Sequence, residues 1–216
     1  MKHLTALLLA FICATSMCAI SSASAHPHVW VTAKAQVLFD AQGLATGFRH
    51  IWKFDEAYSA YQMQGLGANG ELPSREQMAP LAKKTMETMP EFKYFTFAKA
   101  AGAALEYAPA VGARYDVDAD KRVTLTYDLP FIKPVASSSI LVLQVYDPDF
   151  FVEFNFAETD PVSLVGAPSG CSTSANKPKP LEVGEYKKLS EAFFANQSPG
   201  SNFGLELASR LIIACP

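Results

Sequence analysis

Cysteine and histidine are scarce in this sequence, with four of each among 216 residues. The cysteines form no C-x-x-C pair, the spacing found in many thiolate zinc sites. Neither G-x-S-x-G nor H-E-x-x-H occurs, so the motifs of many serine hydrolases and zinc peptidases are missing. The sequence therefore gives little support to a hydrolytic enzyme, and we expect a protein that is not an enzyme.

An excess of positive charge is also missing. The chain has 18 basic and 21 acidic residues, and its formal net charge is -3. A slightly acidic protein lacks the electrostatic surface that binds nucleic acid or an anionic membrane. We therefore expect no nucleic-acid partner.

The first 25 residues are typical of a secretory signal peptide. Lys2 gives a basic start, residues 4–20 are apolar, and residues 23–25 (Ala-Ser-Ala) form a small-residue cleavage site. The apolar run is shorter than most membrane spans, so we expect cleavage and no stable membrane insertion afterwards. Residues 26–216 then remain, a length suited to a single domain.

Cleavage after residue 25 removes two cysteines and leaves Cys171 and Cys215. An even, well-separated pair in an exported protein is typical of a disulfide. The alternative, a thiolate metal site, lacks the usual spacing. We therefore predict a disulfide that ties the last strand to a polar loop.

Strict alternation of apolar and polar residues predicts a β-hairpin near the start of the remaining chain. Its strands cover residues 29–39 and 44–52, and the turn lies at residues 40–43. If Phe39 faces Leu44, His28 lies across from Asp55. This register brings the new amino terminus to the end of the second strand.

The rest of the chain predicts an α+β fold with a mainly antiparallel sheet and two or three covering helices. Helices are expected after Asp55, at residues 75–88 and at residues 182–195, and residues 166–180 are expected to form a loop. Short alternating segments predict the other strands. They are residues 94–98, 104–107, 113–117, 123–129, 140–146 and 150–156.

The histidines that follow the predicted cleavage site are concentrated in this hairpin. The new terminal residue, His26, offers an imidazole and an amine whose ordinary pKa is about 8. His28 lies on the same face of an extended chain, and Pro27 favours that conformation. The candidate metal ligands, in order of preference, are His26, His28, His50, Asp55 and Glu56.

Each of these residues also has a structural interpretation. His50 fits an ordinary sheet position, Asp55 fits a helix cap, and Glu56 fits a solvated side chain. Imidazole with carboxylate suits zinc, nickel, cobalt or copper. Pro27 has no amide proton, so it excludes the square-planar copper or nickel motif that needs this nitrogen.

The motifs His26-Pro27-His28-Val29-Trp30, Trp52-Lys53-Phe54-Asp55-Glu56 and Asp147-Pro148-Asp149-Phe150 resemble those of the bacterial family called domain of unknown function 1007. Members are commonly labelled periplasmic components of an uncharacterised ABC-type transport system. They are often encoded near nickel/cobalt or zinc transport genes. The resemblance implies an accessory role in transport with a membrane metal transporter as partner.

Together these features predict a periplasmic accessory protein that binds a divalent transition metal for a transport system. Two alternatives stay open at this point. One is a structural or protein-interaction domain without metal, and the other is a redox enzyme with a copper histidine brace.

Overall fold

The structure is a computed structural model that describes residues 28–67, 71–178 and 203–216. Its strands are β1 (Val29–Phe39), β2 (Leu44–Phe54), β3 (Thr96–Ala100), β4 (Ala103–Ala104), β5 (Val111–Val117), β6 (Val123–Ala136), β7 (Leu141–Val145), β8 (Val152–Phe156), β9 (Val162–Val165), β10 (Ser172–Asn176) and β11 (Arg210–Ala214). The helices of the described part are α1 (Glu56–Gln62), α2 (Arg75–Thr88) and α3 (Phe203–Leu207), with a 3-10 segment at Met89–Phe95. This content confirms the predicted α+β class.

Two sheets pack against each other around one apolar core. The first has the order β5-β6-β2-β1-β8, with β9 also paired to β1, and the second has the order β10-β11-β7-β3-β4. Buried residues from both sheets and from α2 form a single cluster. Each strand of the core therefore has an inner face towards the other sheet and an outer face away from it.

The predicted hairpin is present as β1 and β2, but its predicted register is wrong. Val31 pairs with Phe54 and Ala35 with His50, whereas the expected partner of His50 was Ala33. A bulge between Leu38 and Phe39 contributes to the difference. Residues 47–54 are displaced by two positions and keep the predicted faces, whereas beyond the bulge Ala45, and not Leu44, takes the buried position.

The predicted starts of α1 and α2 are confirmed. The carboxylate of Asp55 accepts the backbone N–H of Tyr58 and caps α1. Ser74 and Gln77 form the reciprocal capping box of α2. These caps satisfy N–H groups that have no partner inside the helix.

The predicted mainly antiparallel pairing is confirmed, and the structure adds two features that the sequence did not indicate. β1 pairs in parallel with β8 and β9. Residues 172–176 form β10 within the stretch that was predicted to be a loop. The predicted helix at residues 182–195 lies outside the described residues.

The disulfide between Cys171 and Cys215 is confirmed, with a sulfur–sulfur distance of 2.03 Å. It joins the residue before β10 to the residue after β11, and these two strands are antiparallel neighbours. The bridge therefore ties the end of the chain to the edge of the second sheet. None of the described helices has the length and apolar character needed to cross a membrane.

Candidate functional site

His50 lies in the core of the structure. It is 0 % exposed and stands at an inner position of β2. Its ring contacts those of Phe48, Trp52 and Tyr127 at centroid distances of 5.0 to 6.0 Å. The structural interpretation of His50, as a sheet residue packed among aromatic rings, fits this environment.

Burial determines the charge of His50. Desolvation lowers the pKa of its imidazole to about 3, although Asp128 acts in the opposite direction. The Nε2 atom lies 3.2 Å from the Thr96 hydroxyl, which donates its proton to the Tyr94 carbonyl. Thr96 can then only accept from His50, so the neutral ring carries its proton on Nε2.

His28 lies at the start of β1 and is exposed. Its backbone N–H donates to the carbonyl of Phe151 at 2.9 Å. Its ring is stacked on the Phe151 ring, with centroids 6.0 Å apart and an interplanar angle of 16°. The residue before β8 thus fixes both the backbone and the ring of His28.

The two histidines are not brought together. His50 pairs with Ala35, which is seven residues along β1 from His28. At about 3.3 Å per residue, this corresponds to roughly 23 Å along the strand. An odd separation also places the two imidazoles on opposite faces of the sheet.

Asp55 has a structural role next to His28. Its Oδ2 accepts the backbone N–H of Trp30 at 2.8 Å, and its Oδ1 accepts the N–H of Tyr58 at 2.9 Å. Its own backbone N–H donates to the Trp30 carbonyl. Asp55 therefore clamps the start of β1 to the start of α1, while Glu56 is exposed in the first turn of that helix.

Sequence reasoning missed the loop that leads into β8. The buried carboxylate of Asp147 accepts three backbone N–H groups, from Asp149, Phe151 and Val152, at 2.9 to 3.0 Å. Desolvation nevertheless raises the pKa of Asp147 above its ordinary value. The loop holds Phe151 where its carbonyl accepts the backbone N–H of His28. The Asp-Pro motif marked this loop in the sequence, but the sequence did not show that the loop lies beside His28.

Four side chains at the starts of β1 and β8 lie at one end of the sheet. Trp30 pairs with Glu153, and one position earlier Val29 pairs with Val152, which places His28 beside Phe151. His28, Trp30, Phe151 and Glu153 therefore share the outer face. We call these four residues the outer corner. Trp30 and Phe151 remain 46 % and 45 % exposed.

The outer corner has donors of a kind that metals use, but it is not a complete site within the described part of the chain. In residues 28–67, 71–178 and 203–216, no group of three or more His, Cys, Asp or Glu side chains is arranged to hold a metal ion. His26 and the amine that signal cleavage would create lie outside these residues. An imidazole and a carboxylate at one corner fit a transition metal that takes further nitrogen ligands from the preceding residues.

Two cavities lie away from the predicted ligands. A groove of about 1650 Å³ is lined by β3 and β7, and the rings of Phe97 and Tyr146 stack there at 4.2 Å. Its basic lining residues include Lys93, Lys99 and Arg210. A smaller cavity of about 340 Å³ follows β8 and includes Glu153 and Asn155 in its lining.

Comparison with protein families gives one result that covers most of the sequence. Residues 11–215 match the family described as "Protein of unknown function (DUF1007)". A comparison with curated proteins finds no match. Because the family match extends over nearly the whole chain, this protein belongs to the DUF1007 family.

Proposed function

We propose that the protein binds a divalent transition metal in the periplasm and passes it to a membrane metal transporter. The observation that carries this proposal is the position of His28 on the exposed outer corner. Its backbone is fixed by Phe151, and Asp55 holds Trp30 two residues further along β1. An imidazole held on an accessible surface is suited to an ion that must be both bound and released.

The nitrogen donors of the proposed site come from the first residues after cleavage. In an extended chain His26 is on the same face as His28, and Pro27 favours that conformation. The free amine of His26 adds a third nitrogen donor, since its ordinary pKa is about 8 and part of it is neutral near pH 7. Such a set suits zinc, nickel or cobalt, and also copper.

The remaining candidate residues have different roles. His50 has no ligand role because it is fully buried and lies on the inner face. Asp55 acts as a positioning residue because both of its carboxylate oxygens accept backbone N–H groups near the site. Glu56 stays a candidate metal ligand. It lies in α1, which follows β2 of the hairpin.

The free amine provides the sharpest test of this proposal. The full chain is exported with its own leader, and mass spectrometry confirms that the product begins at His26. Its zinc and cobalt affinities are then compared with those of a protein that carries one extra residue before His26. Extension converts the amine into an amide, so we expect affinity to fall by about tenfold or more. Equal affinities would remove the amine from the site, and absence of stoichiometric binding in both proteins would overturn the proposed function.

The groove along β3 and β7 favours a second candidate, a protein-interaction domain. Its apolar stack of Phe97 and Tyr146 suits an apolar partner segment, and its basic lining residues, which outnumber Glu106 and Glu206, suit acidic flanks on that segment. This candidate predicts that correctly processed protein retains no stoichiometric metal. It also predicts that Lys99→Glu weakens binding to such a peptide. If the protein instead binds a metal at the outer corner, we expect the metal affinity of Lys99→Glu to equal that of the wild type.

A further inference from the structure

β8 is the last strand of the first sheet and, among the residues that the structure describes, has a strand neighbour on one side only. The Phe151 carbonyl accepts the backbone N–H of Val29 in β1. Six residues later, the backbone N–H of Ala157 donates to the carbonyl of Ala33, also in β1. Backbone groups alternate in direction along a strand. The odd-numbered residues of β8 therefore bond to β1, and the even-numbered residues face away from it.

Asp147 caps the first of these outward-facing positions. Its Oδ2 accepts the backbone N–H of Val152 at 3.0 Å, so a side chain satisfies the start of the edge. The backbone N–H and C=O groups of Phe154 and Phe156 continue the same edge. These are the groups to which another strand can bond.

A cavity lies along this edge. It measures about 340 Å³, and all five residues of β8 line it. Its other lining residues include Gly204 and Leu207 of α3, and Ala208 and Ser209 that follow this helix. Its volume lies at the lower end of the range of ligand pockets, about 300–1,000 Å³. The edge of β8 therefore faces space that a short extended segment can enter.

Three other edge strands in the described part of the chain are protected in different ways. At the opposite edge of the first sheet, α2 packs against β5. In the second sheet β4 has only two residues, and a very short edge strand gives little to pair with. All five side chains of β10 are exposed, so that strand offers no buried apolar position to a partner.

The apolar part of the cavity sets the first requirement on a partner. Phe154 and Phe156 are each 7 % exposed, and both belong to the inner face of the sheet. Leu207 and Ala208 add apolar surface to the lining. Every second residue of an added strand lies on this inner face. These residues of the partner must therefore be apolar.

The charge of the lining sets the second requirement. The cavity is lined by three acidic residues and one basic residue, which are Asp147, Glu153, Glu158 and Lys177. Lys177 pairs with Glu158 at 2.6 Å, whereas Glu153 accepts from the neutral amide of Asn155 at 2.8 Å. Glu153 lies on the outer face of β8. Basic residues at the outward positions of an added strand therefore complement its charge.

We infer that the edge of β8 is a docking site for an extended segment of a partner protein in which apolar and basic residues alternate. The segment adds a strand to the first sheet and bonds to the backbone of Phe154 and Phe156. Its apolar side chains enter the cavity, and a basic side chain lies beside Glu153. This interaction does not depend on the proposed binding of metal.

A titration of the exported protein with the blocked peptide Lys-Val-Lys-Val-Lys-Val-Lys, without added metal, tests this inference. We expect saturable binding that is at least about tenfold tighter than that of the fully N-methylated peptide, which cannot donate backbone hydrogen bonds. A Glu-Val peptide of the same length should also bind about tenfold or more weakly, because its charges repel Glu153. No binding of the Lys-Val peptide, or equal binding of its N-methylated form, would overturn the inference.

Amide exchange followed by nuclear magnetic resonance locates the bound peptide. The amides of Phe154 and Phe156 should exchange more slowly when the peptide is bound. Those of Glu153 and Asn155 already bond to β1 and should exchange slowly with and without peptide. If Phe154 and Phe156 are equally slow in the protein alone, another part of the chain already occupies the edge. In that case, or if binding leaves their exchange unchanged, the inference is wrong.

Charge reversal supplies the matched variants. Glu153→Lys should weaken binding of the Lys-Val peptide by about threefold or more, since an attractive contact becomes repulsive. Glu106→Lys is the control, because Glu106 is an exposed acid that lines the groove of the second sheet. Its affinity for the peptide should equal that of the wild type. An equal loss in both variants would show that the peptide responds to net charge and not to the edge of β8.

Discussion

The two described histidines of the hairpin occupy opposite environments. His50 is enclosed by Phe48, Trp52 and Tyr127 and has a pKa of about 3. His28 lies on the exposed outer corner, stacked on Phe151. The two residues lie on opposite faces of the sheet and at different distances from the strand end, although both belong to one short segment of the sequence. Clustering of histidines along a chain is therefore weak support for a shared site when the segment is a strand.

The largest difference between the two regions should appear when a tryptophan is removed from each. Trp52 is 2 % exposed and packs against Tyr127 and Phe154, so Trp52→Ala should lower the free energy of unfolding by about 3–5 kcal/mol. Trp30→Ala is the matched control on the outer face and should lower it by about 1 kcal/mol or less. Urea unfolding followed by circular dichroism measures both. Equal losses would contradict the assignment of inner and outer faces.

The pH dependence of stability should depend on His50. Its pKa is about 3 in the folded protein and about 6.5 in an unfolded chain, so only the unfolded state takes up a proton between these values. The contribution of neutral His50 to stability is therefore complete above pH 6.5 and is lost as the pH falls towards 3. Between pH 7 and pH 4.5 this amounts to about 3 kcal/mol.

Urea unfolding of the wild type and of His50→Gln at several pH values tests this dependence. The variant should lose about 3 kcal/mol less than the wild type on acidification from pH 7 to pH 4.5. Parallel curves for His50→Gln and the wild type would show that His50 is not held neutral by burial.

Local patterns in the sequence predicted most of the fold. The alternation in β1 and β2 and the capping residues Asp55 and Ser74 each identified the element that the structure contains. The hairpin register was wrong by two residues: Phe39 pairs with Ala45 and not with Leu44, and the bulge next to Phe39, which leaves no mark in an alternating pattern, adds the second residue. An error of two residues leaves His50 on the same face of β2. Its inward position was therefore already implied by the apolar residues of that face.

The outer corner was much harder to predict. Its formation depends on the parallel pairing of β1 with β8, two strands separated by more than a hundred residues. Such pairing is determined by packing of the whole sheet and not by local residue preferences. The role of Asp147 could not be predicted for the same reason. Its carboxylate accepts three backbone N–H groups and so fixes the loop of Phe151, but this loop lies beside His28 only because β1 pairs with β8.

A smaller effect should distinguish the two acidic residues at the end of β2. Asp55→Ala removes the acceptor for the N–H groups of Tyr58 and Trp30, and should lower the free energy of unfolding by about 1–2 kcal/mol. Glu56→Ala removes a favourable charge from the first turn of α1 and should cost about 0.3–1 kcal/mol. Thermal and urea unfolding of both variants, without added metal, measure the difference. A greater loss for Glu56→Ala would contradict the clamp role of Asp55.

The most direct test of the central claim is a calorimetric zinc titration of protein that begins at His26 and of its His28→Gln and His50→Gln variants. The outer corner binds metal in this account, so His28→Gln should lose stoichiometric binding and His50→Gln should keep one equivalent with wild-type affinity. Retained binding in His28→Gln together with its loss in folded His50→Gln would place the metal in the core and contradict the account.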